Sequence, residues 1–407
     1  MKLPNLFDPY EQPENQVTNA LLQTLGREPA LTKDFVAHLL GCRSKGESGV
    51  SIQLRPSEVK TATSRHASIP DGWIVADDLV VAIENKIVSG SVTPSQISRH
   101  VSQIPAPGIL LILSPDQDEP AVLRDVPRPP GVEIVWRSWR DVHSWTREAR
   151  RRNKGKVAPL LLENLKEYLE MMEIVGFTGI DLAEGYEYPR AKAILKALVA
   201  VLAPLVASLY PEMRPSDHRP VKDDRTAGGG SLVWLPFSEA DDFTTVPHFT
   251  LALFQPFTRI ALTLPNGAKP SWRRLSALLK PRNELSRLLQ TFLSGVEKTR
   301  REYFPATSLH LYQRHWLQRA TSPLSDAEMQ CNLATFFPSK QGRVRRNRGW
   351  WQAGIEILRQ GPHGANWELQ IAVDYSNRDP LVQATAFVNE ALRVLRLFRP
   401  LYFKLRG

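Results

Sequence analysis

The stretch that decides the fold of the N-terminal half is Ile69–Val75 (IPDGWIV), followed by Ala76–Asp78 and then Leu79–Val88 (LVVAIENKIV). Both longer segments are rich in β-branched residues, which favours strands, and the three residues between them form a short turn. The pattern therefore predicts a β-hairpin. Because side chains alternate along a strand, Glu84 and Lys86 should project from the same face.

The two carboxylates of this hairpin are expected at the same end of it. Asp71 and Glu84 stand six and seven residues from Asp77, at the centre of the turn. A buried charge is costly unless it is paired with another charge or with a metal ion. The hairpin therefore predicts that Asp71 and Glu84 bind one divalent ion together.

Lys86 adds a positive charge two residues after Glu84. Hydrolysis of a phosphodiester needs a water deprotonated near neutral pH and an offset for the negative charge of the transition state. Oxygen ligands that hold Mg²⁺ or Mn²⁺ meet the first need, and Lys86 can orient the water or offset charge. In a simpler alternative, Pro70–Gly72 is an ordinary turn and Glu84 and Lys86 lie exposed on an edge strand. The apolar run Leu79–Ile83 argues against an edge.

Around the hairpin, hydrophobic periodicity and turn residues predict the order α, α, β, β, β, α, β, β, α, α. The predicted helices are 14–25, 30–40, 93–103, 138–152 and 159–174, and the strands outside the hairpin are 50–54, 108–113 and 132–136. Thr93 is expected to cap the third helix. We place a domain boundary near residue 180.

Residues 181–407 are predicted to form an α+β domain rich in antiparallel strands. A Pro/Gly/charge-rich stretch, 210–231, is expected to be a loop or linker. The predicted strands are 231–236, 248–254, 259–264, 308–317, 352–359 and 367–375, and the predicted helices are 190–209, 271–279, 283–292, 326–336 and 380–398.

The hairpin and its surroundings resemble the PD-(D/E)XK nuclease superfamily over residues 10–180. The matching residues are Pro70-Asp71 and Glu84-Asn85-Lys86, within a helix–three strands–helix–strand order. The resemblance implies a restriction-endonuclease-like α/β domain, a mixed sheet flanked by helices. It also implies that Asp71, Glu84 and the carbonyl of Asn85 bind Mg²⁺ or Mn²⁺, and that Lys86 is catalytic.

Two further residues match positions that are common in this superfamily. Glu14 opens the first helix and is either a metal ligand or a first-turn carboxylate favoured by the helix dipole. Gln96 lies ten residues after Lys86 on the next helix and is either a catalytic residue or a solvated helix residue. His66 and His100 flank the predicted site, but no sequence pattern assigns them a role.

The composition fits a nucleic-acid partner. Lys and Arg number 52 against 42 Asp and Glu, a formal charge of +10, which favours polyanions, with DNA preferred to RNA. A basic loop followed by aromatics could grip phosphates and stack on bases, or could simply be a mobile loop whose tryptophans anchor the next strand. Its nucleic-acid-binding candidates are Arg343, Arg345, Arg346, Arg348 and Trp350. Two distant cysteines exclude a disulfide framework or a zinc ribbon.

The sequence therefore predicts a cytoplasmic, Mg²⁺-dependent endonuclease serving restriction, repair or phage defence. In one alternative, an inactive nuclease fold only binds nucleic acid or a protein partner. In another, the C-terminal domain responds to a small ligand or protein regulator. Cutting both strands of a duplex requires a homodimer or two successive nicks. No membrane partner is expected, because Lys196 and Pro204 interrupt the longest apolar stretch, Ala193–Leu209, and residues 1–12 do not resemble a signal peptide.

Overall fold

The chain divides into two compact units, unit 1 (1–176) and unit 2 (177–407), beside the boundary predicted near residue 180. The computed structural model describes residues 12–41, 51–53, 70–76, 79–182, 187–216, 221–223, 232–279, 284–297, 305–315, 324–333, 348–360 and 366–407. Each unit has its own sheet.

Unit 1 is a mixed sheet flanked by helices. Its strands are β1 (Ser51–Gln53), β2 (Gly72–Ala76), β3 (Leu79–Asn85), β4 (Gly108–Ser114) and β5 (Val132–Ser138). Its helices are α1 (Pro13–Arg27), α2 (Pro29–His38), α3 (Pro94–Val101), α4 (Trp139–Arg152) and α5 (Val157–Met171). The strand order is β1-β2-β3-β4-β5; β1, β2 and β3 pair antiparallel, whereas β3, β4 and β5 pair parallel. The mixed α/β class predicted for this half is confirmed.

The two faces of this sheet bury different cores. Val81 and Ile83 of β3 enter a large core that includes residues of α1, α2, α4 and α5. Ala82, on the opposite face, enters a smaller core together with Ile97 of α3. Every residue of β4 is buried, which explains why its sequence is a continuous apolar run. The end of β3 therefore lies between helices on both faces.

Helix α4 begins with a strong N-terminal cap. The Ser138 hydroxyl accepts a hydrogen bond from the Asp141 amide at 3.1 Å, and the Asp141 carboxylate accepts one from the Ser138 amide at 2.8 Å. This capping box fixes the first turn of α4 where β5 ends. Thr93 is the N-cap residue of α3, as predicted, with an extended backbone but no side-chain capping hydrogen bond, and Pro94 follows it at the start of the helix.

Unit 2 is built on an antiparallel sheet in the order β12-β11-β13-β10-β9-β8-β6, with β7 also paired to β8. Its strands are β6 (Arg214–Pro215), β7 (Val221–Asp223), β8 (Leu232–Ser238), β9 (His248–Phe254), β10 (Phe257–Leu264), β11 (Ala306–His315), β12 (Leu324–Asn332) and β13 (Asn366–Ser376). Its helices are α6 (Tyr188–Leu209), α7 (Lys269–Leu278), α8 (Glu284–Glu297), α9 (Arg348–Gln360) and α10 (Phe387–Arg406). The prediction of antiparallel strands with helices is confirmed.

Helix α6 has the length and composition of a membrane-spanning helix, with a mean hydropathy of 1.9. The helix predicted over 190–209 is confirmed, and it continues through Lys196 and Pro204. Core helices of soluble proteins share these properties. Leu195, Leu198 and Leu202 of α6 are buried in the core of unit 2, and 39% of the most apolar window of the helix is buried.

Two secondary-structure predictions in unit 2 are wrong. Residues 326–336 were predicted to be helical, but β12 occupies Leu324–Asn332 and pairs along β11. Residues 352–359 were predicted to be a strand, but they lie in α9. The predicted 210–231 loop also contains the short strands β6 and β7.

Candidate active site

The register of the β-hairpin places Asp71 opposite Glu84. Gly72 pairs with Ile83, so one step further along the antiparallel ladder brings the two acidic residues together. The Asn85 amide donates a hydrogen bond to Asp71 Oδ2 at 2.8 Å. A Cβ on Gly72 would lie 2.4 Å from Leu22 Cδ1, so a larger residue where β2 begins would require the Leu22 side chain of α1 to move. The hairpin therefore holds both carboxylates at one end, as its sequence predicts.

Glu84 is the centre of the site and is only 1% exposed. Its Oε1 accepts hydrogen bonds from Lys86 Nζ at 2.6 Å and from Gln96 Nε2 at 2.6 Å. On its other oxygen, His100 Nε2 lies 3.0 Å from Oε2. Glu84 thus contacts three side chains, and all of them can donate hydrogen bonds.

Helix α3 supplies two of these contacts. Gln96 and His100 are four residues apart, so they lie on the same face of the helix. His100 is fully buried. The sequence pattern assigns His100 no role, although its spacing from Gln96 is a usable signal. Its direct contact with Glu84 makes His100 a member of the site.

Asn85 points to the opposite face of β3 and joins the strand to two helices. Its Nδ2 donates to the Glu14 carbonyl of α1 at 2.8 Å. Its Oδ1 accepts a hydrogen bond from Trp139 Nε1 of α4 at 3.0 Å, and the same indole N–H also contacts the Lys86 carbonyl at 3.0 Å. Hydrogen bonds to α1 and from α4 therefore fix the end of β3.

Glu14 lies at the edge of the site. Its carboxylate is 4.0 Å from Lys86 Nζ, and its side chain is 37% exposed. It is more accessible than Glu84, whose side chain is 2% exposed, and its position is compatible both with metal binding and with the helix-dipole alternative.

The loop between β3 and α3 is pinned by Asp116, which follows β4. Asp116 accepts hydrogen bonds from the Ser89 hydroxyl and from the Gly90 amide, the latter at 2.9 Å. Its second oxygen accepts a hydrogen bond from the Ser114 hydroxyl at 2.7 Å, and these hydrogen bonds hold the pKa of Asp116 below its usual range, although burial would raise it. The loop that leads to Gln96 is therefore tied to the sheet.

The pKa values of Asp71 and Glu84 are shifted in opposite directions. Burial, followed by the charge of Glu84, raises the pKa of Asp71 to about 6, against the hydrogen bond from the Asn85 amide. Burial would also raise the pKa of Glu84, but hydrogen bonds from His100 and Lys86 outweigh it and hold that pKa below its usual range. Glu84 is thus ionised in the neutral range, while Asp71 gains a proton in mildly acidic solution.

Lys86 remains charged in this environment. Burial would lower the pKa of its ammonium group, but the hydrogen bond and charge of Glu84 raise it above the usual value. Three carboxylates, those of Glu14, Asp71 and Glu84, therefore surround one ammonium group. The site as a whole has an excess of negative charge.

This donor set suits a hard divalent ion. Among the residues that the structure describes, no group of three or more His, Cys, Asp or Glu side chains is arranged to enclose a metal. Mg²⁺, however, is commonly held by one or two carboxylates and keeps several waters. Burial is the main cause of the raised pKa of Asp71, and repulsion by the carboxylates of Glu84 and Glu14 adds to it; a cation would relieve that repulsion. Asp71, Glu84 and the Asn85 carbonyl are the residues that would hold it.

The predicted nucleic-acid-binding loop lies mostly outside the described residues. Arg343, Arg345 and Arg346 fall there, as does His66. Arg348 and Trp350 belong to α9, so the prediction of a loop leading into a strand is wrong from residue 348 onward. The apolar residues Ile355 and Leu358, three apart, are compatible with a helical face, whereas a strand would turn them to opposite faces.

Comparison with known proteins gave no match to any family model and no match among curated protein sequences.

Proposed function

We propose that unit 1 is a metal-dependent nuclease of the PD-(D/E)XK kind, which hydrolyses phosphodiester bonds of DNA with Mg²⁺ or Mn²⁺. The observation that carries the proposal is the pairing of Asp71 with Glu84, with Lys86 held 2.6 Å from Glu84. The strand order supports it as well: a sheet with antiparallel β1–β3 and parallel β3–β5 is compatible with a restriction-endonuclease-like core.

The charge balance explains why a metal ion is needed. A phosphodiester is an anion, and the charges of Glu14, Asp71 and Glu84 exceed that of Lys86 alone. Like charges this close repel, most strongly in a partly buried site. Without a cation, the residues of this site would therefore reject the substrate. Bound Mg²⁺ would supply the positive charge and Lewis acidity that phosphodiester hydrolysis requires.

The protein's own groups have separate roles in this proposal. Lys86 offers N–H donors to a phosphate oxygen or to the attacking water, and Glu84 fixes its position. Gln96 and His100 hold the Glu84 carboxylate in one orientation. They act through Glu84 and are positioning residues. Asp71 is held by the Asn85 amide, so the geometry is formed before substrate arrives.

The test compares cleavage of plasmid, linear duplex, single-stranded DNA and RNA with Mg²⁺, Mn²⁺ or EDTA. Asp71→Asn and Lys86→Ala should reduce metal-dependent cleavage by about 100-fold or more. Glu148→Gln is the matched control, because Glu148 is 65% exposed in α4 and outside the site. Glu84→Ala is a poor choice, since it would leave Lys86, Gln96 and His100 around a buried void.

Cleavage that persists in Asp71→Asn or in EDTA would overturn the proposal. If the folded wild type binds DNA but cuts none of the four substrates, the alternative of an inactive nucleic-acid-binding module gains support. Nicked plasmid that accumulates before linear product would indicate two successive cuts rather than a concerted dimer.

A further inference from the structure

The sheet of unit 2 has one apolar face and one polar face, and the polar face is also buried. Leu251, Ile260 and Ile371 point into the core. The register identifies residues of the opposite face: Thr263 lies there, paired with His248 on one side and Gln370 on the other. His248 is 3% exposed and Thr263 is 2% exposed. Burying polar groups is costly unless they are satisfied, so this face needs an explanation.

Small residues leave space above this polar face. Ala252, Ala261 and Ala372 lie on it, with Ala261 paired directly to Ala372. The face lines a cavity of about 140 Å³ that opens to solvent. An engineered cavity of about 150 Å³ can hold benzene. The enclosed part of this cavity is therefore large enough for one aromatic ring, and the open side leaves room for the rest of a ligand.

Aromatic rings form one wall of the cavity. Trp234 and Phe243 both line it, with ring centroids 5.7 Å apart in an edge-to-face arrangement. The His248 imidazole lies 5.2 Å from Phe243, and burial lowers its pKa, so it is neutral near pH 7. These rings present a surface on which a flat, uncharged ring system can stack.

The arginine in the cavity wall is already neutralised. Arg259 donates to both carboxylate oxygens of Asp374, at 2.7 and 2.9 Å. Its Nη2 also lies 3.1 Å from His310 Nε2, and its Nη1 is 3.5 Å from Gln370 Oε1. A guanidinium engaged on all of its nitrogens is a weak anion site. The cavity is therefore not built for a phosphate or a carboxylate.

Among the described residues that line the cavity, Glu368 is a carboxylate without a salt-bridge partner. Within the part of the chain that the structure describes, its carboxylate accepts one hydrogen bond, from Gln370 Nε2 at 2.7 Å. An ionised carboxylate only accepts, and it can accept two parallel N–H bonds at once. Nearby, the hydroxyl groups of Thr250 and Thr263 form one hydrogen bond with each other at 2.8 Å. One of the two hydroxyls donates in that bond, so the other can donate its hydrogen to a further acceptor.

We propose that this cavity binds a flat heterocycle with two adjacent N–H donors, of the kind found on the Watson–Crick edge of guanine. Glu368 accepts both donors, and the spare threonine hydroxyl meets the neighbouring carbonyl. Because the rings of Trp234 and Phe243 are nearly perpendicular, the ligand stacks on one of them and meets the other edge-on. Adenine, cytosine and uracil lack two adjacent N–H donors on that edge and should be rejected. The proposal is independent of the nuclease assigned to unit 1.

Calorimetric titration of the full chain with guanosine, inosine, adenosine and cytidine tests it. Guanosine should bind, and inosine, which lacks the exocyclic amine, should bind about 10-fold more weakly or worse. Adenosine and cytidine should not bind. This series needs no variant, so it does not depend on the folding of a mutant. Competition by guanosine monophosphate or by a guanine-containing trinucleotide then identifies a free nucleotide or a nucleic acid as the source of the base.

Glu368→Gln should weaken guanosine binding at least about 10-fold, because the amide presents a donor to a ligand donor. Glu356→Gln is the control; Glu356 is 60% exposed in α9 and does not line the cavity. Equal binding of guanosine and adenosine, unchanged binding in Glu368→Gln, or no binding at millimolar guanosine would each overturn the proposal.

Discussion

At the residue scale, Asp71 is a side chain whose negative charge is disfavoured by its surroundings. It is largely buried just before β2 and faces the ionised Glu84 across the hairpin. One backbone hydrogen bond, from Asn85, partly compensates. The folded protein therefore loses stability to keep two carboxylates together, a pattern typical of functional sites.

This cost predicts a pH-dependent stability difference between wild type and Asp71→Asn. The folded pKa of Asp71, about 6, lies above the unfolded value of about 3.9. Between these values the folded state binds more protons, so wild-type stability falls as pH rises, and the loss is complete above about pH 6. Asp71→Asn avoids this loss of stability. Its free energy of unfolding should exceed that of the wild type by on the order of 3 kcal/mol at pH 7 to 8, with no gain below about pH 4.

Urea unfolding at a series of pH values, with EDTA present, measures this difference. Glu148→Gln should follow the wild-type curve, because its carboxylate is exposed. Parallel curves for wild type and Asp71→Asn would contradict the electrostatic account of the site.

At the element scale, the end of β3 depends on the helix that follows β5. Trp139, the first residue of α4, is fully buried, and its indole N–H contacts both Asn85 and the Lys86 carbonyl. Helix α4 also carries Trp145, whose Nε1 donates to Asp34 Oδ1 at 2.8 Å. Helix α4 thus has two tryptophans whose indole N–H groups donate hydrogen bonds, and only that of Trp139 contacts the site.

These two tryptophans allow a matched comparison. Trp139→Phe and Trp145→Phe should each lower the free energy of unfolding by about 1–3 kcal/mol, since each removes a hydrogen bond and buried ring volume, although Asp34 keeps its hydrogen bonds from Arg152. Only Trp139→Phe should also reduce cleavage, by about 10-fold to 100-fold, because small displacements of catalytic groups are costly. Urea unfolding and plasmid cleavage measure the two effects. Equal loss of cleavage in both variants would show that stability, not site geometry, is responsible.

Local patterns predicted the first unit well because its signals are strong. The alternation in Leu79–Val88 and the short turn determined the hairpin register, and with it the meeting of Asp71 and Glu84. The role of His100 was not predicted, because the rotation of α3 about its axis depends on how Ile97 and Val101 pack. The contact of Trp139 with Asn85, 54 residues apart, has no local signal at all.

The two errors in unit 2 have a common physical cause. The segment Leu324–Asn332 contains Ala327, Glu328 and Met329, which favour helices, yet it pairs along β11. Tertiary pairing outweighs such propensities, which are weak for each residue. In Gln352–Arg359, the alternation of Ile355 and Ile357 suggested a strand, although both residues also pack against the core from a helix.

At the scale of the whole molecule, unit 2 begins with a segment that ties the chain to its C-terminal part. Ile180 donates a backbone hydrogen bond to Val382 at 2.8 Å, and Phe177, Ile180 and Leu182 are buried in the core of unit 2. Gly179 adopts φ +117°, and a Cβ there would lie 2.3 Å from the Gln383 carbonyl oxygen. Only glycine fits this close approach.

Gly179→Ala should therefore destabilise the protein by about 2–4 kcal/mol, because it adds backbone strain to a steric clash. Gly155→Ala is the matched control, since a Cβ there meets nothing within 4 Å, and its effect should stay within about 0.5 kcal/mol. Thermal unfolding followed by circular dichroism measures both. A Gly179→Ala protein as stable as wild type would contradict the tight packing of this segment.

The contacts of Asn85 also determine when the site can exist during synthesis. Asn85 contacts Glu14, 71 residues earlier in the chain, and Trp139, 54 residues later. A ribosome adding about 5–20 residues per second needs roughly 3 to 11 seconds to add those 54 residues. Throughout that interval the nascent chain carries Asp71, Glu84 and Lys86 without the helix that fixes them. Until Trp139 is added, the growing chain therefore lacks one of the contacts that fix Asn85 between Glu84 and Lys86.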